Sequence, residues 1–334
     1  MKKKFTFKGL WKVLKNSGKG FANDHIMKKS ASLAYYTVFS LGPLLIVIVY
    51  LASLFLGREA VEGSIYNQMQ SFVGADAAMQ LQEIIKNAAV SGSGNFAAII
   101  GIATLLIGAT TVFADMQDSI NDIWGLKPKP KAGWIKLVKD RLLSFGVVAS
   151  LGFLLLVSLG VSALVESLNT RLRNMFPEMA VLLFYILNLV ITLGIITMLF
   201  VIIFKVLPDA RIKTKDVLSG AIATAVLFML GKFGISFYIS KSNIGSTYGA
   251  AGSLVVILVW IYYSSVILYF GAEFTKAYAM QFGHSIHPNS FAVATKKVEV
   301  EKNGESVQQI EKEKEQDEEQ KKAAEKNSQD NPKA

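Results

Sequence analysis

The sequence predicts an all-α polytopic membrane protein with six transmembrane helices and both termini in the cytoplasm. Three observations support this fold class: six long apolar stretches, a strong bias in where Lys and Arg lie, and a composition that is 52% hydrophobic over 334 residues. About 18 or more mostly apolar residues are enough to cross a hydrocarbon core of about 30 Å. Such segments cross as helices because a backbone in lipid must satisfy its own hydrogen bonds. The predicted spans are Leu33–Leu56, Phe96–Phe113, Leu142–Val165, Val181–Leu207, Val217–Ile239 and Ala250–Ala272.

The distribution of basic residues predicts the orientation of these spans. Lys and Arg number nine in residues 1–30, six in 114–141, four in 205–215 and ten in 273–334. The loops on the other side carry two, two and one, and Lys232 lies within the fifth predicted span. Cytoplasmic loops are enriched in Lys and Arg, so both termini are expected to be cytoplasmic. The net charge of +10 therefore indicates topology and attraction to anionic lipid rather than a nucleic-acid-binding surface.

The chain divides into three regions by composition. In residues 1–30, lysines recur at helical spacing opposite an apolar stripe, which is typical of a helix lying in the membrane interface. A flexible basic leader is the alternative. Residues 31–285 form the predicted six-helix domain, and its external loop 57–95 is expected to contain two short amphipathic helices. Residues 286–334 are rich in Glu, Lys and Gln and are expected to form a disordered, charged cytoplasmic tail.

A charged residue within a predicted span indicates a substrate cavity. Lys232 lies well inside the fifth span, and a charge there usually faces the bundle interior or a water-filled space. Polar residues of other spans lie at a similar depth, and aromatic residues near the middle of the last span require polar partners or a cavity. Snorkelling of the lysine toward the interface is the alternative. The candidate substrate cavity comprises Lys232, Asn188, Ser158, Ser253, Trp260 and Tyr262.

Gly42 and Pro43 form a candidate hinge near the middle of the first span. Proline lacks an N–H and displaces the carbonyl one turn earlier, so it kinks a helix. We expect this kink to form a gate or a cavity wall. A kink that serves packing alone is the alternative.

A catalytic constellation is not evident in the sequence. Asp115, Asp118 and Asp122 form a carboxylate stripe that is expected to pair with the Lys-rich segment 127–141, and a divalent cation is the less favoured alternative. The histidines lie outside the predicted spans, and the chain contains no Cys. Zincin, P-loop, nucleophile-elbow and dinucleotide-binding motifs are lacking. We therefore predict that the protein is not an enzyme and has no catalytic residues, bound metal or cofactor.

Four motifs are specific enough to indicate a family: Leu-Ala-Tyr-Tyr with Ser-Leu-Gly-Pro after it, Asn-Asp-Ile-Trp, Leu-Pro-Asp, and the run of the last span that ends in Gly-Ala-Glu. Over roughly residues 20–285, the chain resembles the YihY/virulence factor BrkB family of bacterial inner-membrane proteins, formerly labelled ribonuclease BN-like. The resemblance implies a six-span helical bundle in the bacterial cytoplasmic (inner) membrane. The motif positions are Tyr35, Ser40, Pro43, Trp124, Pro208, Asp209, Tyr248, Gly249, Trp260, Gly271 and Glu273.

The cavity and the resemblance together favour a transporter or a flippase-like binder of an amphipathic anionic envelope lipid. A non-transporting envelope scaffold or accessory protein is the alternative. A ribonuclease requires a cluster of His and carboxylate metal ligands, which the sequence does not supply, so we reject that activity. Membrane lipids are the expected partners and nucleic acid is not, while partner proteins and a homo-oligomer remain open. At the cytoplasmic face, Glu273 is expected to pair with Lys205 or Arg211.

Overall fold

The computed structural model describes residues 6–40, 111–129, 177–241 and 252–295, together with the isolated residues 309 and 316. Helices dominate these ranges, and four short strands lie in the segments that connect or follow them. The helices are α1 (Phe7–Asn23), α2 (26–40), α3 (111–123), α4 (Pro177–Val206), α5 (Thr214–Lys241) and α6 (Gly252–Phe282). The strands are β1 (Leu126–Pro128), β2 (Ala210–Arg211), β3 (His287–Pro288) and β4 (Ala292–Ala294).

Three of the described helices are long and apolar enough to cross a membrane. Their candidate spans are Leu189–Val206 in α4, Thr214–Ile235 in α5 and Leu254–Phe282 in α6. They correspond to the fourth, fifth and sixth predicted spans. The first three predicted spans lie largely outside the described residues, as does the loop 57–95. The six-span count and the cytoplasmic termini therefore stay predictions.

Helix α1 packs against the C-terminal half of α6 through one narrow face. Gly9, Val13 and Ser17 are buried on this face, at the spacing that aligns side chains along a helix. Phe7 and Trp11 are 86% and 70% exposed on another face. The segment is helical, as its lysine spacing predicts, and its location in the membrane interface stays a prediction.

Helices α5 and α6 run antiparallel and approach closely through two reciprocal Gly–Thr contacts. A Cβ added at Gly220 would lie 1.9 Å from Thr275 Oγ1, and one added at Gly271 would lie 2.1 Å from Thr224 Oγ1. Each threonine hydroxyl donates to the carbonyl of the glycine one turn earlier on its own helix, at 2.7 Å. Small residues at such a crossing let backbones approach, and the internal hydrogen bonds satisfy the hydroxyl groups in an apolar surrounding.

A chain of aromatic rings joins α4, α5 and α6. Phe204 stacks on Phe200 within α4, with ring centroids 5.9 Å apart. Phe200 contacts Phe228 of α5 edge-on at 6.1 Å, and Phe228 contacts Trp260 of α6 edge-on at 6.5 Å. These rings contribute buried apolar area and favourable edge-to-face geometry, so they fix the lateral order of the three helices.

Two antiparallel ribbons form at the end of the bundle where α3 and α4 end and α5 begins. Strand β1 pairs with β4, and β2 pairs with β3. The prediction of a disordered tail at 286–334 does not hold at its start, because strands β3 and β4 lie there. The backbone that follows α6 forms hydrogen bonds with the segment that follows α3. Thr295 N donates to Gly125 O at 2.7 Å, and Lys129 N donates to Phe291 O at 2.9 Å. Beyond residue 295 the tail lies outside the described residues except 309 and 316.

Candidate functional site

A cluster of charged side chains, here called the polar junction, lies where the α1–α2 connection meets α3 and α6. It consists of Asp24, Lys29, Asp122, Glu273 and Lys276. Lys29 Nζ lies 2.8 Å from Asp122 Oδ2 and donates to the backbone oxygen of Asp24 at 2.7 Å. Lys276 Nζ lies 3.7 Å from Asp24 Oδ2 and 3.8 Å from Glu273 Oε2. The junction therefore links the α1–α2 connection, α2, α3 and α6 through ion pairs and a backbone hydrogen bond.

Glu273 is the most deeply buried member of the polar junction, at 2% exposure. A Cβ added at Gly20 would lie 2.4 Å from its Oε2, so α1 packs directly onto the carboxyl group. The carboxyl of Asp24 lies beside it. Its Oε1 atom has no hydrogen-bond partner among the described residues. Burying a carboxylate without full pairing is costly, which makes the nearby ammonium of Lys276 important for the fold.

The predicted pairing of Glu273 with Lys205 or Arg211 is wrong. Glu273 forms its ion pair with Lys276, one turn further along α6. The ammonium of Lys205 donates instead to the carbonyl of Ile212. The reason is the orientation of α6, which turns residue 273 toward α1 and away from the segment between α4 and α5.

The carboxylate stripe of α3 faces α2. Asp122 pairs with Lys29, and Asp115 Oδ1 accepts a hydrogen bond from Ser32 Oγ at 3.0 Å. Burial raises the pKa of the Asp115 carboxyl, although the Ser32 hydrogen bond and the charge of Lys29 act in the opposite direction. The described partners of these two carboxylates are thus in α2 and not in the predicted Lys-rich segment, of which residues 130–141 lie outside the described ranges.

Asp209 anchors both the α3 end and the β2–β3 ribbon. It exchanges two hydrogen bonds with Asn121, since Asp209 N donates to Asn121 Oδ1 at 2.8 Å and Asn121 Nδ2 donates to Asp209 Oδ2 at 3.2 Å. Asn289 Nδ2 donates to Asp209 Oδ1 at 2.9 Å, and Asn289 N donates to Asp209 O at 3.0 Å. Close by in sequence, Trp124 Nε1 donates to Ala272 O at 3.0 Å. Motif positions of α3, α4 and α6 thus join these elements at one end of the bundle.

The predicted substrate-cavity residues that the structure describes lie on α5 and α6. Trp260 belongs to the aromatic chain, and the hydroxyl of Tyr262 donates to the sulfur of Met27 at 3.1 Å. Lys232 is partly buried on α5 and interacts with its surroundings. Convergence of the predicted residues on one cavity stays a prediction. Outside the description lie Gly42, Pro43, Ser158, Tyr248 and Gly249, together with the side chains of Asn188 and Ser253.

The remaining described motif positions lie in α2 and in the turn after α4, and Tyr35 is largely exposed. Tyr35 contacts the rings of Tyr36 and Phe39, with centroids 5.8 and 4.8 Å apart. Ser40 is buried and its hydroxyl donates to the carbonyl of Tyr36 at 2.8 Å. Pro208 sits in the short turn between α4 and β2, where it precedes Asp209.

A pocket of about 690 Å³ lies beside the β2–β3 ribbon and was not predicted from the sequence. The Lys and Arg of residues 205–215 are the signal in the sequence for this pocket, but their number predicts only membrane topology. The strand pairing that places Arg211 opposite His287 joins segments 76 positions apart, so no local pattern reveals it. The lining residues are Arg211, Ile212, Lys213, Gly283, His284, Ser285 and His287.

Comparison with known proteins identifies the family. Residues 18–291 match the model of the family described as "Virulence factor BrkB", and the match includes every motif position named above. The chain belongs to the virulence factor BrkB family. The resemblance inferred from the motifs is thereby confirmed, and the protein is a membrane protein of this family.

Relatives of this BrkB-family chain are bacterial proteins named UPF0761 membrane protein. One from Pseudoalteromonas translucida is 29% identical over 76% of this chain and 81% of its own length. One from Vibrio vulnificus is 28% identical over 76% and 78%. One from Saccharophagus degradans is 27% identical over 85% of this chain, which spans 63% of that relative. No solved structure matches the chain.

Proposed function

We propose that this BrkB-family protein is a non-enzymatic protein of the bacterial cytoplasmic membrane that binds an amphipathic anionic envelope lipid and moves it across the bilayer. The observation that carries the proposal is Lys232, which lies inside the candidate span Thr214–Ile235. Its neighbours Leu230 and Phe233 are exposed apolar side chains, as expected for a lipid-facing surface. A cation at this position is costly unless it meets a polar group or an anionic ligand.

A tyrosine hydroxyl lies at the same level as Lys232. Gly231 precedes Lys232 in α5 and has no side chain, so the hydroxyl of Tyr263 in α6 can occupy the space beside it. A Cβ added at Gly231 would lie 1.2 Å from Tyr263 Oη. Helices α5 and α6 therefore carry an ammonium and a phenol O–H at neighbouring positions. Both groups donate hydrogen bonds, and an anionic headgroup accepts them. This chemistry supports an anionic lipid rather than a cationic one.

The test is translocation of fluorescent phosphatidylglycerol in proteoliposomes. Wild type should exceed protein-free vesicles, and Lys232→Leu should slow translocation about tenfold, the equivalent of one lost charge-assisted hydrogen bond. Lys232→Arg should retain most of the rate because it keeps the charge. Lys241→Leu, at the end of α5, is the matched control and should behave as wild type. A Lys232→Leu rate equal to wild type would remove Lys232 from the lipid path.

The second candidate function is a non-transporting envelope scaffold. The aromatic chain favours it, because Trp260 packs on Phe228 rather than standing free. Closely packed rings between α4, α5 and α6 leave less room for a headgroup on that side. A wild-type rate equal to that of protein-free vesicles would support the scaffold over the transporter.

A further inference from the structure

We infer that the pocket beside the β2–β3 ribbon, here called the basic pocket, binds a phosphate-bearing anion: the headgroup of an anionic phospholipid or a free phosphate ester. The basic pocket is distinct from the surroundings of Lys232. Lys213, which lines it, is separated from Lys232 by about two thirds of α5, about 28 Å along the helix axis. The inference therefore does not depend on lipid movement past Lys232.

The charge of the basic pocket comes from side chains. Arg211 and Lys213 are exposed, and within the described ranges neither side chain takes part in an ion pair. The seven lining residues also include two histidines and no carboxylate. The N-terminus of α5 and the C-terminus of α6 both lie close by, and their partial charges have opposite sign. Two unpaired cations without a lining anion favour a negatively charged ligand.

The strand register fixes the positions of two basic side chains before any ligand binds. Arg211 lies directly opposite His287 in the β2–β3 pair. Side chains of directly opposed residues lie on the same face of a ribbon, close enough to share a ligand. The four hydrogen bonds of Asp209 hold the base of this ribbon against α3 and the Asn289 turn. A site that is ordered in advance loses less entropy on binding.

The carboxylate nearest to the basic pocket is used internally. Asp216 is buried, and its Oδ2 receives the backbone N–H of His284 at 3.0 Å and contacts His284 Nδ1 at 3.1 Å. Gly283 lets it approach, because a Cβ at residue 283 would lie 2.4 Å from Asp216 Oδ1. With Nδ1 assigned as the donor to this carboxylate, Nε2 is the ring nitrogen left for a ligand. Asp216 thus positions the imidazole, and its Oδ2 is engaged by the backbone and the ring of His284.

Size and location agree with a phosphate ester. The volume of about 690 Å³ is typical of small-molecule sites and exceeds that of a bare phosphate ion. A guanidinium binds two phosphate oxygens at once, and the Lys213 ammonium adds a second charge-assisted bond. The pocket adjoins the first residue of the candidate span Thr214–Ile235, which is the level of lipid headgroups if α5 crosses the membrane.

The experiment is isothermal titration of full-length protein in detergent with two probes, short-chain phosphatidylglycerol and glycerol 3-phosphate. Arg211→Gln/Lys213→Gln should weaken binding about tenfold or more, since two charge-assisted bonds are lost. The matched control is Lys127→Gln/Lys129→Gln, which removes the same charge from exposed positions at the β1–β4 ribbon. The control should change the Kd less than about twofold if only screened surface charge is lost.

A second variant keeps every charge and removes only the space. Ser285 lines the basic pocket and is exposed, so the indole of Ser285→Trp should occupy part of it and weaken binding of both probes without disturbing the core. If phosphatidylglycerol binds more tightly than glycerol 3-phosphate, the natural ligand is a lipid headgroup. If the two probes bind equally, it is a free phosphate ester. Both results support the inference. It is overturned if neither probe binds, if both double variants lose affinity equally, or if Ser285→Trp binds as wild type. Glycerol 3-phosphate has no acyl chain and cannot follow the proposed lipid path, so its binding reports on the basic pocket separately from the surroundings of Lys232.

Discussion

Lys276 lies beside the buried carboxyl of Glu273 and the half-buried carboxyl of Asp24. It reaches both Asp24 and Glu273, and it also donates to the carbonyl of Ile123 at the end of α3. The polar junction holds three carboxyl groups and two ammonium groups, so the loss of Lys276 leaves one cation beside three carboxyl groups in a confined space. Such a network contributes little to the free energy of unfolding as a whole, but removing one partner of a buried pair lowers that free energy substantially.

Lys276→Met should destabilise the protein by about 2 kcal/mol, a value below that of a fully buried pair because the ammonium is partly exposed. Glu273→Gln in the same chain should restore part of this loss, since the amide stays neutral and removes any need for a cation beside residue 273. Thermal unfolding of the purified protein in detergent measures both effects, with Lys241→Met at an exposed helix end as the control. A double variant no more stable than Lys276→Met alone would show that the charge of Glu273 is not what Lys276 balances.

Helices α5 and α6 illustrate what a sequence shows about an element and what it does not. Hydropathy and length predicted both as spans, and the structure confirms two long apolar helices. The contact between Gly271 and Thr224 was not predictable, because it joins positions on different helices and depends on their mutual rotation. Strands β2 and β3 have two residues each, and so short a segment cannot show the alternation of apolar and polar residues that predicts a strand. Their pairing depends on Asp209, whose motif indicated the family but not the hydrogen bonds.

Gly271→Ala should separate α5 from α6 at one of their two close Gly–Thr contacts. The added methyl meets Thr224, whose hydroxyl is already bonded within its own turn, so the cost is that of overpacking, about 1–3 kcal/mol. Gly234→Ala on α5 is the matched control, because a Cβ there has no neighbour within 4 Å among the described residues. It should be neutral or stabilising by up to about 1 kcal/mol through helix propensity. Equal melting temperatures for the two variants would contradict the close α5–α6 contact.

At the scale of the whole molecule, several features gather at one end of the described bundle. Helix α1 lies along the C-terminal half of α6, the two ribbons lie beyond α3 and α4, and the basic pocket lies at the start of α5. Lys241 lies at the opposite end of α5. If α5 crosses the membrane, the ends of this one helix are on opposite sides. The Lys and Arg bias then assigns the end with α1 to the cytoplasm.

Single-cysteine labelling tests this arrangement without background, because the natural chain has no Cys. Lys15→Cys, Lys213→Cys and Lys241→Cys each place a thiol at an exposed position. A membrane-impermeant maleimide applied to intact spheroplasts should label only residue 241, and inverted vesicles should expose residues 15 and 213. Labelling of 213 and 241 from the same side would contradict α5 as a span, whereas 15 and 213 on opposite sides would contradict the packing of α1 on α6. If residues 15 and 213 were labelled in spheroplasts and residue 241 only in inverted vesicles, the fold would be retained but the orientation would be refuted. The Lys-rich and Arg-rich end of the helices would then lie outside the cytoplasm.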